Sequence, residues 1–293
     1  MTSSFSRRHF VGTAALALTA LSLTAASAQD SNPKTLRVAL LPDENAATLI
    51  QNAQPLKAYL EDRMKRPIEI VVTTDYSSMI EAMRFGRIEV AYFGPFSYVL
   101  AKTRAPKIEA FAVGVEKGQP NYRSVLIASA SGPVKAIDDI RGKPFGFGDQ
   151  ASTSSHLSPR AHLVRAGLVG GKDYKVVHLG THDAVARAVQ SGQIPAGALS
   201  EPILRNLIER GTIDEKRIVE LALTNPIPNY PLVMQGYLDP ALKEDIRKAF
   251  LEMDDKKVLD TFRAEGFQKA DDNSYDVLRE TAKLLNLDIG KMK

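Results

Sequence analysis

Strand and helix patterns alternate along this chain, stop at a turn-rich stretch, restart, and stop again, and no other sequence feature restricts the fold as much. From Thr35, "TLRVALLP" is a β-branched and apolar run closed by a proline, which predicts a buried strand. "AATLIQNAQPLKAYLEDRM" has helical spacing with a break or new start at Pro55, and "IEIVVTTDY" predicts a second strand. "SSMIEAMRFG" places Ser78 three residues before Glu81, a capping-box spacing, with Gly86 as the stop. "IEVAYFGP" and "FSYVLAKT" add a strand and a short helix, after which "EKGQPNYRS" interrupts the chain. The alternation resumes with "SVLIASA" and "KPFGFGD" as strands and "SPRAHLVRAG" as a helix stopped by Gly167. "YKVVHLG", "HDAVARAVQSG", "PAGAL", "PILRNLIERG" and "RIVELAL" continue it to the proline-rich "TNPIPNYP".

The pattern predicts an α/β protein of two lobes, each a mostly parallel sheet flanked by helices, joined by two crossings with a cleft between them. Residues 33–120 and 226–293 form the first lobe on this reading, and 121–225 the second. The C-terminal stretches "LDPALKEDIRKAFLEMDDKKVLDTFRAEGF" and "NSYDVLRETAKLLN" read as helices that pack back on the first lobe. Ligands of open α/β sheets collect beyond the carboxyl ends of the strands, so the loops that follow strands are where a site is expected.

Ahead of the first strand, "SFSRRHFVGTAALALTALSLTAASAQD" has paired arginines, an apolar run and small residues at Ala26-Ser27-Ala28. It reads as an export signal spanning residues 1–28, and Ser6-Arg7-Arg8-His9-Phe10-Val11 fits the twin-arginine pattern. Removing 28 of the 293 residues leaves 265, more than one core usually serves. The loss of Arg7 and Arg8 takes the net charge from +4 to +2, a balance that argues against nucleic-acid binding. With no cysteine there is no disulfide, no thiolate metal ligand and no lipidated residue, so a soluble, unanchored periplasmic protein is expected.

Three loops carry candidate chemistry. In "TTDYSSMIEA" a strand hands over to a helix at Asp75, Tyr76, Ser77 and Ser78. Asp75 and Ser77 serve equally well as caps, whereas a tyrosine on the exit loop suits binding better than packing. In "AYFGPFSYVLA", Gly94 permits close backbone approach and Pro95 suits the first helical position. There Tyr92 and Phe93 read as strand packing, and Tyr98 admits the same reading. In "GDQASTSSHLSPR" a helix start coincides with Ser152, Thr153, Ser154, Ser155 and His156. Helix starts leave N–H groups without internal partners and favour anions, and hydroxyls add donors without a fixed charge. Serines also populate ordinary caps and loops, so this loop gains its meaning from its company.

"LPDENAATL", "DYSSMIEAMRFGRIEVAYFGPFSYVLA", "STSSHLSP" and "GTHDAVARAVQSGQIPAGAL" together resemble successive motifs of the periplasmic phosphate/phosphite/phosphonate-binding proteins of ABC importers. The resemblance covers nearly the whole chain after residue 28. It implies the two-lobed type II periplasmic binding protein fold, an anion held in the cleft, and delivery to an inner-membrane permease with its ATPase. By motif it assigns Tyr76 and Tyr98 as donors to the oxyanion, Ser152, Thr153 and Ser154 as its cradle, and His182 and Asp183 as the pair near its remaining face. Two positions depart from the pattern. Ser155 and His156 replace a common Gly and a variable residue. Tyr230 stands where aminophosphonate binders look acidic, and an ammonium buried without its counter-charge costs several kcal/mol. Phosphite, methylphosphonate or phosphate is therefore expected rather than aminoethylphosphonate, with Tyr230 narrowing the pocket.

Other classes fit less well. A serine hydrolase needs a nucleophile elbow such as G-x-S-x-G, and none occurs. His156 and His182 are the only histidines on the candidate loops, too few to make a metal site without carboxylates at ligand spacing. No catalysis, no metal and no cofactor are expected, and a monomer is. A subunit that presents the anion to a membrane histidine kinase has the same sequence requirements as an importer component.

Overall fold

The computed structural model of the chain describes residues 29–292, and the export-signal reading of 1–28 lies outside them. Thirteen strands and ten α-helices follow the expected alternation among the described residues. A six-stranded sheet takes β1 (Leu36–Leu40), β2 (Ile68–Val72), β3 (Val90–Tyr92), β4 (Glu109–Val115), β12 (Pro231–Met234) and β13 (Gly266–Lys269), in the order β13-β4-β12-β3-β1-β2. A five-stranded sheet takes β6 (Ser124–Ser129), β7 (Pro144–Phe147), β8 (Lys175–His178), β9 (Ala196–Ser200) and β10 (Ile218–Leu223), in the order β10-β6-β9-β7-β8. Between them β5 (Asn121–Tyr122) pairs with β11 (Ile227–Pro228), and this two-stranded ribbon carries both crossings.

The sheets are less parallel than the alternation predicts. β1 runs parallel to β2 and β3, and β7 to β8 and β9, but every pairing made by β4, β6, β10, β12 or β13 is antiparallel. The chain leaves the first sheet through β4 and returns through β12 beside it, and a strand that comes back from the other lobe enters pointing the opposite way. β13 is a second difference, since its first two residues, Gly266 and Phe267, end a stretch read as helix.

The helices sit on the sheets through stripes of apolar residues. In α3 (Tyr76–Arg84), Tyr76, Met79, Ile80 and Met83 are buried at helical spacing. In α6 (His182–Gln190), Val185, Ala186 and Val189 do the same. Truncating one such side chain to alanine costs about 2–5 kcal/mol. Gly197 in β9 lets α6 approach closely, because a Cβ there would stand 2.8 Å from the Gly146 carbonyl and 2.9 Å from Val185. The C-terminal helix α10 (Asp276–Leu284) departs from the expectation in part. It touches α4 (Pro95–Arg104) of the first lobe and also α5 (Ser158–Arg165) of the second.

This framework brings strand-exit loops of both sheets to one cleft. Asp43 follows β1, Tyr76 follows β2, Gly94 follows β3, Ser152 follows β7, His182 follows β8 and Ser200 ends β9. The site is sought there.

Candidate functional site

Tyr76 is the first residue of α3, with its side chain buried. Asp75 caps that helix by accepting from the Ser78 amide at 2.7 Å, which displaces the capping box expected at Ser78. The Tyr76 phenol lies beside Ser152, and burial raises its pKa well above the usual tyrosine range, so it is a neutral donor. Ser77 is only partly buried on the next position of the helix, and Gly94 lies against the Tyr76 ring.

The hydroxyl cluster forms as a π-helical turn, Thr153–Leu157, continuous with α5. Its wider ring is closed by the Leu157 amide donating to the Ser152 carbonyl at 3.0 Å. Ser152 caps the turn by accepting from the Ser155 amide at 3.1 Å. The amides of Thr153 and Ser154 are the first two of the turn and have no intrahelical partner. Thr153 Oγ1 accepts from the Phe96 amide at the start of α4, 2.8 Å away across the cleft. The Thr153 proton is thereby left to donate elsewhere.

Tyr122, in the ribbon, donates its phenol to Ser154 Oγ at 3.2 Å. Burial pushes this phenol upward too, and its ring lies 5.4 Å from that of Tyr230. Tyr230 is buried, stacks on Tyr92 and lies close to Asp43. His182 opens α6 and spans the cleft, donating its amide to the Asp43 carbonyl at 2.9 Å. Its Nδ1 accepts from the Ser200 amide at 3.1 Å, so the ring proton sits on Nε2, which is buried without a partner. Burial, with Arg263 nearby, holds the His182 pKa down to about 3. The imidazole is neutral at physiological pH and offers one fixed N–H.

Four candidates lie apart from this cluster. Tyr98 donates to Asp272 at 2.6 Å and packs on Tyr275 of the first lobe, because its position in α4 turns it away from the cleft. Asp183 accepts from Thr181 Oγ1 at 2.7 Å and faces Arg187, as a first-turn carboxylate does. Ser155 Oγ is used within the second lobe, accepting from the Gly148 amide and donating to the Ala198 carbonyl. His156 contacts the Gln150 carbonyl through Nδ1 and packs on Phe147 and His178, so its role is in the core.

Residues not singled out from the sequence complete the cleft. Asp43 pairs with Arg263 at 2.7 Å, Glu44 pairs with Arg263 at 3.1 Å, and Glu44 also reaches Arg210 of the second lobe at 2.6 Å. Two carboxylates and two guanidiniums thus neutralise one another. Arg263 has φ of 54°, in the left-handed region, at the end of a short 3₁₀ turn. The ion pairs offset the cost of about 1–2 kcal/mol that a side-chain-bearing residue incurs there. Asp43 was accessible to the strand-exit rule, whereas Tyr122 reads as part of a turn and Arg263 as part of a polar helix.

Residues 38–275 match the family described as the periplasmic substrate-binding protein of phosphonate ABC transporters. The chain belongs to this family. Members similar to it include the phosphate-import protein PhnD of Mycolicibacterium smegmatis, 28% identical over 90% of this chain and 87% of that protein. The probable ABC transporter phosphite binding protein PhnD1 of Prochlorococcus marinus is 26% identical over 87% of this chain and 91% of that protein. The solved structure of that PhnD1 with methylphosphonate superposes with a TM-score of 0.79 at 24% identity, covering 87% of this chain and 99% of the other. The phosphonate-binding family thus accounts for the type II periplasmic binding fold, with its two sheets and intervening cleft. Among the described residues no helix is long and apolar enough to cross a membrane.

Proposed function

We infer that this family member captures phosphite, methylphosphonate or phosphate between its lobes and delivers it to an inner-membrane permease powered by an ATPase. One observation carries the reading. Buried, uncharged donors from both lobes converge at Tyr76, Ser152, Thr153, Ser154 and His182, with the Tyr122 phenol donating to Ser154, while the nearby charges cancel in the Asp43–Glu44–Arg263–Arg210 group. Such a surface replaces the water around an oxyanion without a cation of its own. Hydrogen bonds to a charged partner contribute roughly 1.5–3 kcal/mol each, so five supply a gross ~8–15 kcal/mol. Micromolar binding needs about 8 kcal/mol, before the entropy of association is subtracted.

The cavity lined by Tyr92, Tyr122, Ser200, Tyr230 and Arg263 holds about 10 Å³, the space of one water, so an anion enters by the lobes separating. Residues 33–120 and 226–293 move as one lobe and 121–225 as the other in this scheme. The protein works as a monomer without a cofactor, and export through the twin-arginine pattern with cleavage after Ala28 delivers it to the periplasm. The charges of Asp43 and Glu44 are balanced by Arg263 and Arg210, so no net negative charge remains for an ammonium group, which supports the exclusion of aminoethylphosphonate.

Calorimetric titration with phosphite, methylphosphonate, phosphate, aminoethylphosphonate and sulfate tests the reading. Tightest binding among the first three is expected. Tighter binding of aminoethylphosphonate, or no binding of any phosphorus anion, refutes it.

A further inference from the structure

We propose that Asp43, beside Tyr230, forms the acceptor end of the cleft and selects ligands that bring a proton on an oxygen. The inference rests on the oxyanion reading above and adds the basis of its discrimination. Every other ligand-facing group assigned there donates: the Tyr76 phenol, the Ser152–Ser154 hydroxyls, of which Ser154 accepts from the Tyr122 phenol, and the His182 Nε2–H. An ionised carboxylate has only lone pairs. Asp43 is 1% exposed, and its charge acts on the phenols of Tyr76, Tyr92, Tyr122 and Tyr230.

A phosphorus oxyanion that keeps one P–OH meets this end with a charge-assisted hydrogen bond. Sulfate or a sulfonate of the same shape has no proton at neutral pH and sets lone pairs against the carboxylate. A site built around a ligand hydroxyl rejects the analogue that lacks it far more strongly than a site built around size.

The surroundings of Asp43 allow it to share a proton. From its own loop Glu44 faces it, itself paired with Arg210, and from the 3₁₀ turn Arg263, which Glu44 also engages. From the ribbon side Tyr122 and Tyr230 approach, from α3 Tyr76 with Asp149 behind it, and from α6 the neutral His182. Burial, opposed by Arg263, pushes the Asp43 carboxyl up to about 6. Phosphate monoesters lose their second proton at about 6, and phosphorus oxyanions of this kind likewise keep an ionisable P–OH that the carboxyl can share.

The experiment measures binding of two shape-matched pairs, methylphosphonate with methanesulfonate and phosphate with sulfate, to the wild-type chain and to Asp43→Asn, which replaces an acceptor oxygen by a donor. The wild type is expected to prefer the phosphorus member at least about 100-fold, and the variant less than about 10-fold, chiefly through gained affinity for sulfate. Calorimetry of phosphite on the wild type near pH 8, in buffers of different ionisation enthalpy, adds a readout independent of the variant's folding. Uptake of about one proton per anion is expected. Retained discrimination in Asp43→Asn, or binding without proton uptake, overturns the proposal alone. If the wild type binds neither phosphorus anion, the oxyanion reading falls and this proposal with it.

Discussion

Replacing Thr153 by valine removes one oxygen while keeping the shape, and that oxygen works in two directions. It accepts from the Phe96 amide of the opposite lobe at 2.8 Å, and its proton is free for the ligand. In the closed state Thr153→Val leaves the buried Phe96 N–H without a partner, which costs about 1–3 kcal/mol. It also removes a hydrogen bond to a charged ligand, about 1.5–3 kcal/mol. Together these give roughly 2.5–6 kcal/mol, or about 10²- to 10⁴-fold in Kd. Because the Phe96 contact crosses the lobes, the cost falls on closure, and the melting temperature without ligand is expected to move little. Thr153→Ser restores the oxygen and should recover affinity to within about tenfold. Titration calorimetry with phosphite or methylphosphonate reads all three proteins. Affinity of Thr153→Val within threefold of wild type would refute both the inter-lobe bond and the placement of the anion.

Further outcomes follow from the same geometry. Tyr122→Phe should weaken anion binding about 10- to 100-fold, whereas Tyr98→Phe should leave Kd unchanged and lower Tm by about 2–4 °C through loss of the Asp272 bond, both readable by calorimetry and thermal melting. Arg210→Met removes the second-lobe end of the ion network, so stopped-flow measurements should show faster anion release with the preference among anions unchanged. Stability should depend on acid in a defined way. His156 and His182 are both held down to about 3 by burial, against 6.5 in the unfolded chain, so stability rises with pH from about 3 to 6.5. Asp43, raised to about 6, acts oppositely between its unfolded value of 3.8 and 6, where the native state holds the extra proton. His182→Asn removes one of the groups that favour higher pH, so Tm of the variant should rise less, or fall more, than that of the wild type between about pH 4 and 6.5.

The alternation of strands and helices was legible because apolar periodicity reports which face is buried, and the two interruptions located both crossings. Strand direction was not legible, since a buried strand such as β12 has the same residue pattern whichever way it runs. β13 escaped because its four residues are at most half-buried and follow a polar helical stretch without a break. Of the residues gathered at the candidate site, Ser152–Ser154 and Tyr76 could be singled out as hydroxyls on strand-exit loops. Tyr98 misled because a helix turns about 100° per residue. Phe96 offers its amide to the cleft, and two positions later the side chain points to Tyr275. Tyr122 and Arg263 owe their places to the return of distant chain segments, β11 beside β5 and the 3₁₀ turn beside the β1 loop, which local sequence does not encode.

The ribbon formed by β5 and β11 is two residues wide on each side, and Pro228 brings no N–H to it. Little holds its two crossings against twisting, and Tyr122 is part of it. The phenol that meets Ser154 is thus mounted on the pivot itself, so swinging the lobes apart rotates that contact away as a mechanical necessity. Loading and gating become a single event, and amide exchange at Tyr122 and Ile227 should track occupancy even though neither backbone touches the cargo.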